Sequence, residues 1–260
     1  NAGQLATQSI GLMQCRGSFV TFLDADDLLA PTFVERHLFA QLNGEYPTGL
    51  SVSDQITIDD GGSIHSGTRI NRDALAEIAT ARTMTIPAAG SCPSMKAIFL
   101  PWNDDRTYQT QGWYWQTQSA MMFRRSVLDL IVPPPDDCGA FRICADFYLA
   151  RFAHLIASSM ILFEPLGAYR QHGANNFAGS AFMSTDQQGG DVQRLPSFST
   201  YTELVRTTIR RRQDHFNARL GHFRLAQIDG MLGDRAGERR SSGPAIGNTV
   251  RQWLSSAIRR

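Results

Sequence analysis

Phe19-Val-Thr-Phe-Leu-Asp24-Ala-Asp-Asp27 is the stretch on which the predicted fold depends. Its first five residues are apolar, aromatic or β-branched, which is typical of a buried strand. Three carboxylates follow within four residues, and open α/β sheets build their ligand sites where strands end in this way. Because carboxylates so close repel one another, we expect a cation among them. The alternative is a solvated acidic turn that caps the following helix.

Carboxylate chemistry narrows the choice of cation. Mg²⁺-type sites use one or two carboxylates together with oxygens of a substrate phosphate. The stretch therefore predicts a site for a hard divalent ion and a phosphorylated ligand.

The flanking segments predict an α/β layer unit around this strand. Residues 4–15 read as a helix ended by Gly17. A second helix is predicted from Pro31, at the first helical position, to Asn43-Gly44. Leu50–Ile58 alternates apolar and polar residues, which predicts a half-buried strand that turns at residues 60–62.

The second half of the chain continues the same pattern. We predict a strand over 119–123, a short helix over 124–131, a helix opened by Asp146, and strands over 160–163 and from 166 into a basic loop. Arg-rich amphipathic helices are predicted over 202–220 and 249–258. Residues 64–112 and 178–199 carry little readable pattern.

Charge is unevenly placed along the 260 residues. Residues 1–205 carry 13 basic and 20 acidic groups, a net charge of −7, and residues 206–260 carry 12 and 4, a net charge of +8. An acidic body argues against nucleic-acid binding. The basic tail predicts either peripheral contact with an anionic membrane or packing against the acidic body.

Cysteine spacing and hydropathy bear on the compartment. The four cysteines form no CxxC pair, so we interpret them as free thiols in a reducing compartment. The most apolar window, residues 155–163, is too short to span a bilayer. We therefore expect a cytoplasmic protein, with peripheral association at the inner face of the membrane as the variant.

The order of these segments resembles that of inverting family 2 glycosyltransferases of GT-A fold. Four segments carry the resemblance: Phe22-Leu-Asp-Ala-Asp-Asp27 to the Asp-x-Asp motif, Ser119-Ala-Met-Met-Phe-Arg-Arg125 to the acceptor-side strand, Cys144-Ala-Asp-Phe-Tyr-Leu-Ala-Arg151 to the Glu-Asp-x-Asp-Leu segment, and Tyr169-Arg-Gln-His-Gly-Ala-Asn175 to the Tyr-Arg-x-His-x-x-Asn ending. The resemblance covers about 180 residues. Of the acidic positions in the third segment, only Asp146 is present.

The resemblance implies an α/β fold of GT-A type, a Rossmann-like mixed sheet flanked by helices. The family's first nucleotide-binding strand has no counterpart in the chain, so we expect a catalytic domain at 1–180 that is truncated at its N-terminus. Residues 181–260 are expected to form an Arg-rich helical extension.

Site roles also follow from the resemblance. It implies that Asp26 binds a Mg²⁺ or Mn²⁺ ion bridging two phosphates, and that Asp24 reaches the metal or the ribose. Asp146 is the implied general base. Arg170 and His172 are implied to contact the diphosphate. The alternative for these two is pairing with a surface carboxylate and a local carbonyl.

Trp113 and Trp115 form an aromatic pair that either packs in the core, the usual use of aromatic side chains, or stacks an acceptor sugar. The function expected is metal-assisted transfer, with inversion, from a UDP-, GDP- or dTDP-sugar to a glycan or lipid-linked acceptor in bacterial cell-envelope polysaccharide biosynthesis. The alternatives are an inactive sugar-nucleotide or glycan-binding module, and an acidic metal loop in an unrelated hydrolase or phosphatase.

Overall fold

A computed structural model describes residues 2–70, 72–76, 78–103, 113–173, 175 and 196–238 of the protein, with strands and helices interspersed along the chain. The helices are α1 (Gln4–Gln14), α2 (Phe33–Asn43), α3 (Arg72–Ala76), α4 (Arg125–Ile131), α5 (Ala145–Ala157), α6 (Phe198–Arg211) and α7 (Gln213–Glu238). The strands are β1 (Phe19–Val20), β2 (Leu28–Leu29), β3 (Leu50–Ile58), β4 (Ile64–Ser66), β5 (Arg82–Ile86), β6 (Met95–Leu100), β7 (Met121–Arg124) and β8 (Ser159–Arg170).

The described strands form one eight-stranded mixed sheet in the order β1-β7-β3-β8-β6-β5, with β4 paired to β3 and β2 paired to β8. β3 and β8 are parallel, and their last residues, Ile58 and Arg170, are directly paired. β2 runs antiparallel to the end of β8. Three loops therefore meet where these strands end: the loops that follow β3 and β8, and the loop that precedes β2.

The sheet separates two apolar clusters, because successive side chains of a strand point to opposite faces. In β7, Met121 and Phe123 join the larger cluster, and Met122 joins the smaller one. Helix α2 packs in the smaller cluster. The helices that pack in the larger cluster are α1, α4, α5, α6 and α7. The predicted α/β fold, with helices on both sides of a mixed sheet, is confirmed at this level.

The prediction that β3 is half-buried is wrong. Its residues are buried along almost the whole strand. Of the polar residues that suggested a solvated face, Ser51 packs against α2, where its Oγ lies 2.7 Å from His37 Nδ1 and accepts a hydrogen bond from Gln41 Nε2 at 3.0 Å. Asp54 and Gln55 accept hydrogen bonds from Thr68 and Thr117. A polar side chain can be buried when a partner satisfies it, so alternation alone did not distinguish solvent from a second layer.

The two strands predicted over 160–163 and 166–170 are one strand, β8. Glu164 and Pro165 lie between them, and the register against β3 shifts at this point. The neighbour on the other side also changes here, from β6 to β2. Because Pro cannot donate to a ladder hydrogen bond, it is tolerated at such an irregularity.

Smaller boundaries also differ from prediction. The strand at Phe19 pairs over only two residues, and the chain then continues without ladder bonds to the acidic turn. Helix α1 ends at Gln14, before Gly17. Pro31 lies before the N-cap residue Thr32 and so outside α2. The cysteines are free thiols, as expected.

Helix α6 and the start of α7 pack on the body, which is one of the two arrangements predicted for the basic tail. Leu204, Val205 and Phe216 are buried in the larger cluster. Arg212 Nη1 donates to the carbonyls of Asp129 at 2.9 Å and Leu130 at 2.8 Å. The segment predicted as a helix over 249–258 lies outside the described residues. Within the part of the chain that the structure describes, no helix has the length and apolar character to cross a bilayer.

This packing predicts a large stability difference between two phenylalanines of α7. Phe216 is fully buried and stacks on Phe152 with ring centroids 5.9 Å apart, whereas Phe223 is 79% exposed. We expect Phe216→Ala to lower the free energy of unfolding by about 3–5 kcal/mol and Phe223→Ala to change it by less than about 0.5 kcal/mol. Urea unfolding measures both, and equal losses would contradict the packing.

Candidate functional site

The acidic turn is held at both ends. Asp24 N–H donates to the Ser119 hydroxyl at 3.1 Å, and Asp27 Oδ1 accepts the main-chain N–H of Arg170 at 3.0 Å. A hydrogen bond from Asp27 N–H to the Asp24 carbonyl, at 3.2 Å, closes the turn. Asp27 is buried, which raises the pKa of its carboxyl, and hydrogen bonds from Ser119 and Arg170 oppose that shift. Its role is therefore to fix the turn.

The structure brings Asp24 and Asp146 together, although 122 residues separate them in the sequence. Burial raises the pKa of Asp24 to about 6, with further contributions from the negative charges of Asp27, Asp146 and Asp26. The carboxylates predicted for the metal and the predicted base therefore share one electrostatic environment.

Asp146 stands in the first turn of α5, as predicted. Its Oδ1 accepts the N–H of Phe147 at 2.9 Å, and burial raises the pKa of its carboxyl to about 6. Cys144, the residue before the helix, has φ 57 and ψ 45, a left-handed conformation that a non-glycine residue adopts at a cost. The left-handed turn at Cys144 sets the direction in which α5 begins. A carboxyl with a pKa near 6 suits proton transfer near neutral pH.

Arg170 is committed to main-chain carbonyls. Its Nε donates to the Asp26 carbonyl at 3.0 Å, and its Nη1 donates to the carbonyls of Asp59 and Asp60, each at 3.0 Å. These bonds tie the acidic loop to the turn after β3. A guanidinium used in this way cannot turn its fork to a diphosphate without breaking them, so the structure gives Arg170 a role in holding the loop.

His172 and Asn175 both lie on the carboxylate of Asp26. His172 Nε2 is 2.8 Å from Asp26 Oδ2, and Asn175 Nδ2 reaches the same oxygen at 3.4 Å while donating to the Arg170 carbonyl at 3.1 Å. The predicted contact of His172 with a diphosphate stays a prediction, and in the structure His172 lies on a carboxylate instead of the local carbonyl of the alternative. Asn175 belongs to the segment that carried the resemblance, yet residue type alone did not single it out.

Arg69 is a site residue that the sequence analysis missed. Its guanidinium lies over the ring of Tyr169 at 4.3 Å, and the charge of Asp27 acts on it. Buried Asp54 holds its loop by accepting the N–H groups of Arg69 at 2.8 Å and Ile70 at 3.1 Å. Arg69 is thus a second cationic side chain near the acidic turn, in addition to Arg170. It follows a hairpin in a segment without readable pattern, so no sequence signal indicated it.

The two tryptophans separate into a buried and an accessible ring. Trp115 is 1% exposed and its Nε1–H donates to Ser159 Oγ at 3.1 Å, so burial removes it from the proposed acceptor contact. Trp113 is 36% exposed and lies nearly parallel to Phe147, with an interplanar angle of 5°. Because Phe147 follows Asp146, Trp113 offers an aromatic surface near the candidate base. Arg151 lies 4.7 Å from the Phe147 ring centroid.

The donor set fits a divalent ion that shares its coordination with a substrate. Among the described residues, no group of three or more His, Cys, Asp or Glu side chains forms a closed metal cluster. Asp24 and Asp26 nevertheless supply carboxylates whose mutual repulsion helps to raise the pKa of Asp24. A divalent ion relieves such repulsion, and Mg²⁺ sites use one or two carboxylates with phosphate oxygens.

The raised pKa values predict that the acidic site destabilises the folded chain at neutral pH. Burial raises the pKa of the Asp24 and Asp146 carboxyls from an ordinary value of 3.8 to about 6. The folded state therefore binds these protons more tightly than the unfolded state, and their contribution to stability falls as pH rises from about 4 to about 6. We expect Asp146→Asn to increase the free energy of unfolding at pH 7.5 by about 1–2 kcal/mol, and by about a third of that at pH 4.5.

Urea unfolding at the two pH values tests this expectation. Asp129→Asn is the matched control, because the Asp129 side chain is 55% exposed and lies away from the acidic site. A gain that is the same at both pH values would contradict the electrostatic origin.

Comparison with protein-family models and with curated proteins finds no match to this chain.

Proposed function

We propose that this chain is a glycosyltransferase of GT-A fold that moves a sugar from a nucleotide-diphosphate sugar to an acceptor hydroxyl with inversion. The observation that supports this most is the meeting of the acidic turn with Asp146, in contact with the loop that carries His172 and Asn175. Such a site has a carboxylate group for a metal-bound diphosphate on one side and a carboxyl poised for proton transfer on the other.

Asp146 is the proposed general base. Its Oδ1 is occupied by the N–H of Phe147, which fixes the carboxyl at the start of α5. The acceptor hydroxyl gives its proton to this carboxylate as its oxygen bonds to the anomeric carbon and the bond to the diphosphate breaks. Attack from the face opposite the leaving group inverts the configuration, without a covalent intermediate on the protein.

Asp26 and Asp24 are proposed to hold a Mg²⁺ or Mn²⁺ ion, with His172 beside Asp26. When bound, the ion supplies charge that stabilises the departing diphosphate. The protein's own part is to fix the carboxylates: Arg170 holds the main chain of Asp26, and Asn175 orients its side chain.

The substrates follow from the same reading. The donor is proposed to be a UDP-, GDP- or dTDP-sugar, and the acceptor a glycan or lipid-linked saccharide whose ring stacks on Trp113. The proposed place of action is the cytoplasm.

Calorimetric titration of UDP, GDP and dTDP, with Mn²⁺ and then with EDTA, tests the nucleotide site. We expect binding with Mn²⁺ that EDTA abolishes. Binding must be accompanied by turnover of a donor to an acceptor, because metal-dependent binding without transfer is the result expected of an inactive binding module. Absence of binding by all three nucleotides, with the folded state verified by circular dichroism, would overturn the proposal.

A further inference from the structure

Gln4 connects the two halves of the proposed site. It is the first residue of α1, and its Oε1 accepts the main-chain N–H of Ala145, the first residue of α5, at 2.9 Å. The same side chain lies beside the carboxyl of Asp24, and its hydrogen bonding lowers the pKa of that carboxyl against the causes that raise it. One planar amide therefore bridges the acidic turn and the helix that carries Asp146.

Main-chain contacts of Gly3 and Gln4 with Arg142 fix the position from which the Gln4 side chain extends. Gln4 N–H donates to the Arg142 carbonyl at 2.9 Å. Gly3 has φ +94, and a Cβ at that position would lie 2.6 Å from Arg142 Cα. Only glycine permits so close an approach at this φ. The start of α1 is thus fastened to the loop that leads into α5.

The Gln4 side chain also provides a hydrogen-bond acceptor for the N-terminus of α5. The first N–H groups of a helix lack partners within the helix, and the residue before α5, Cys144, forms no capping hydrogen bond with its side chain. Gln4 supplies an acceptor from a distant part of the chain. A local Ser, Thr or Asp would cap the helix equally well, but it would make no connection to Asp24.

We propose that Gln4 is a positioning residue, whose amide sets the separation between the Asp24 carboxylate and the N-terminus of α5 on which Asp146 stands. This role rests on the proposed function, since the separation matters where the leaving diphosphate and the attacking hydroxyl must be held in line. Small misplacements of reacting groups carry large rate penalties.

Gln4→Met is the principal test, because Met has a similar length and makes neither hydrogen bond. We expect kcat for transfer to fall by about 10- to 100-fold, with the KM for the donor changed less than about threefold. We also expect faster hydrogen exchange at the Ala145 amide. Gln41→Met is the matched control, since buried Gln41 on α2 donates two hydrogen bonds, to Ser51 on β3 and to the Met122 carbonyl on β7, and neither partner belongs to the acidic site. It is expected to lower stability and leave kcat unchanged.

Gln4→Glu separates the two ends of the bridge. Its carboxylate can still accept the Ala145 N–H, but it repels Asp24. We expect the Ala145 amide to remain protected while kcat falls. Wild-type kcat in this variant would reduce Gln4 to a helix cap and overturn the proposal.

The outcomes distinguish this inference from the proposed function. An active wild type whose kcat is unaffected by Gln4→Met overturns the positioning role alone. A wild type that transfers from no donor overturns both. Unchanged exchange of the Ala145 amide in Gln4→Met would show that the bridge is not formed, whatever the activity.

Discussion

Replacing Asp146 with Asn is expected to lower kcat for sugar transfer by about 10²- to 10⁴-fold, the range that general bases contribute. Asn can still accept the hydrogen bond from Phe147 N–H, so the start of α5 keeps its geometry. It cannot take the proton of the acceptor hydroxyl. Because the Asp24 and Asp26 carboxylates are unaltered, we expect the affinity for UDP with Mn²⁺ to change less than about threefold.

The dependence of kcat/KM on pH tests the role of Asp146 independently. Burial raises the pKa of Asp146 to about 6, and the base must be ionised to act. We therefore expect wild-type kcat/KM to rise with pH through about 6 and to level above 7. Asp129→Asn, on an exposed side chain, is expected to retain wild-type kcat. Wild-type kcat in Asp146→Asn would remove Asp146 as the base.

Replacing Asp26 with Ala is expected to weaken metal-dependent nucleotide binding by at least about 100-fold. Loss of an outer partner of a metal ligand already costs about 10- to 100-fold, and Asp26 is proposed to bind the ion itself. The substitution also removes the carboxylate that His172 and Asn175 contact. Calorimetric titration of UDP with Mn²⁺ measures the loss, and circular dichroism verifies the fold.

Asp60→Ala is the matched control for this experiment. Asp60 is an exposed acid near the same loop, and Arg170 uses its main-chain carbonyl, which Ala retains. We expect nucleotide affinity close to that of the wild type. Equal losses in the two variants would indicate a general effect of negative charge and would remove Asp26 as the metal ligand.

Prediction from the sequence succeeded where a local pattern has one structural solution. The apolar spacing in α2 and the break at Gly44 place that helix within a residue of its observed end. Period-2 alternation placed β3 over its full length. The same alternation misjudged burial, since Ser51 is satisfied by α2 and not by water.

In the candidate site, too, some residues were predictable from the sequence and the roles of others were not. Residue type and motif order singled out Asp24, Asp26 and Asp146, and the structure places Asp24 within the electrostatic reach of Asp26 and Asp146. Their roles stay predictions. The role of Arg170 was not readable, because a loop arginine has the same sequence signature whether it binds a phosphate or three main-chain carbonyls. Trp115 was likewise assigned from its neighbourhood in sequence, and only burial distinguishes it from Trp113.

Hydrophobic periodicity and residue chemistry are local properties, and they are enough to predict an α/β sheet with an acidic turn at a strand end. The groups that meet at that turn depend on how the whole sheet packs. Gln4 lies beside Asp24, Asn175 bonds Asp26, and Arg69 interacts with the charge of Asp27, and these three residues come from separate segments without a periodic pattern that marks them. The physical reason is that a strand or helix is specified by many neighbouring residues together, whereas a site depends on a few side chains whose distances are set by the packing of the whole sheet.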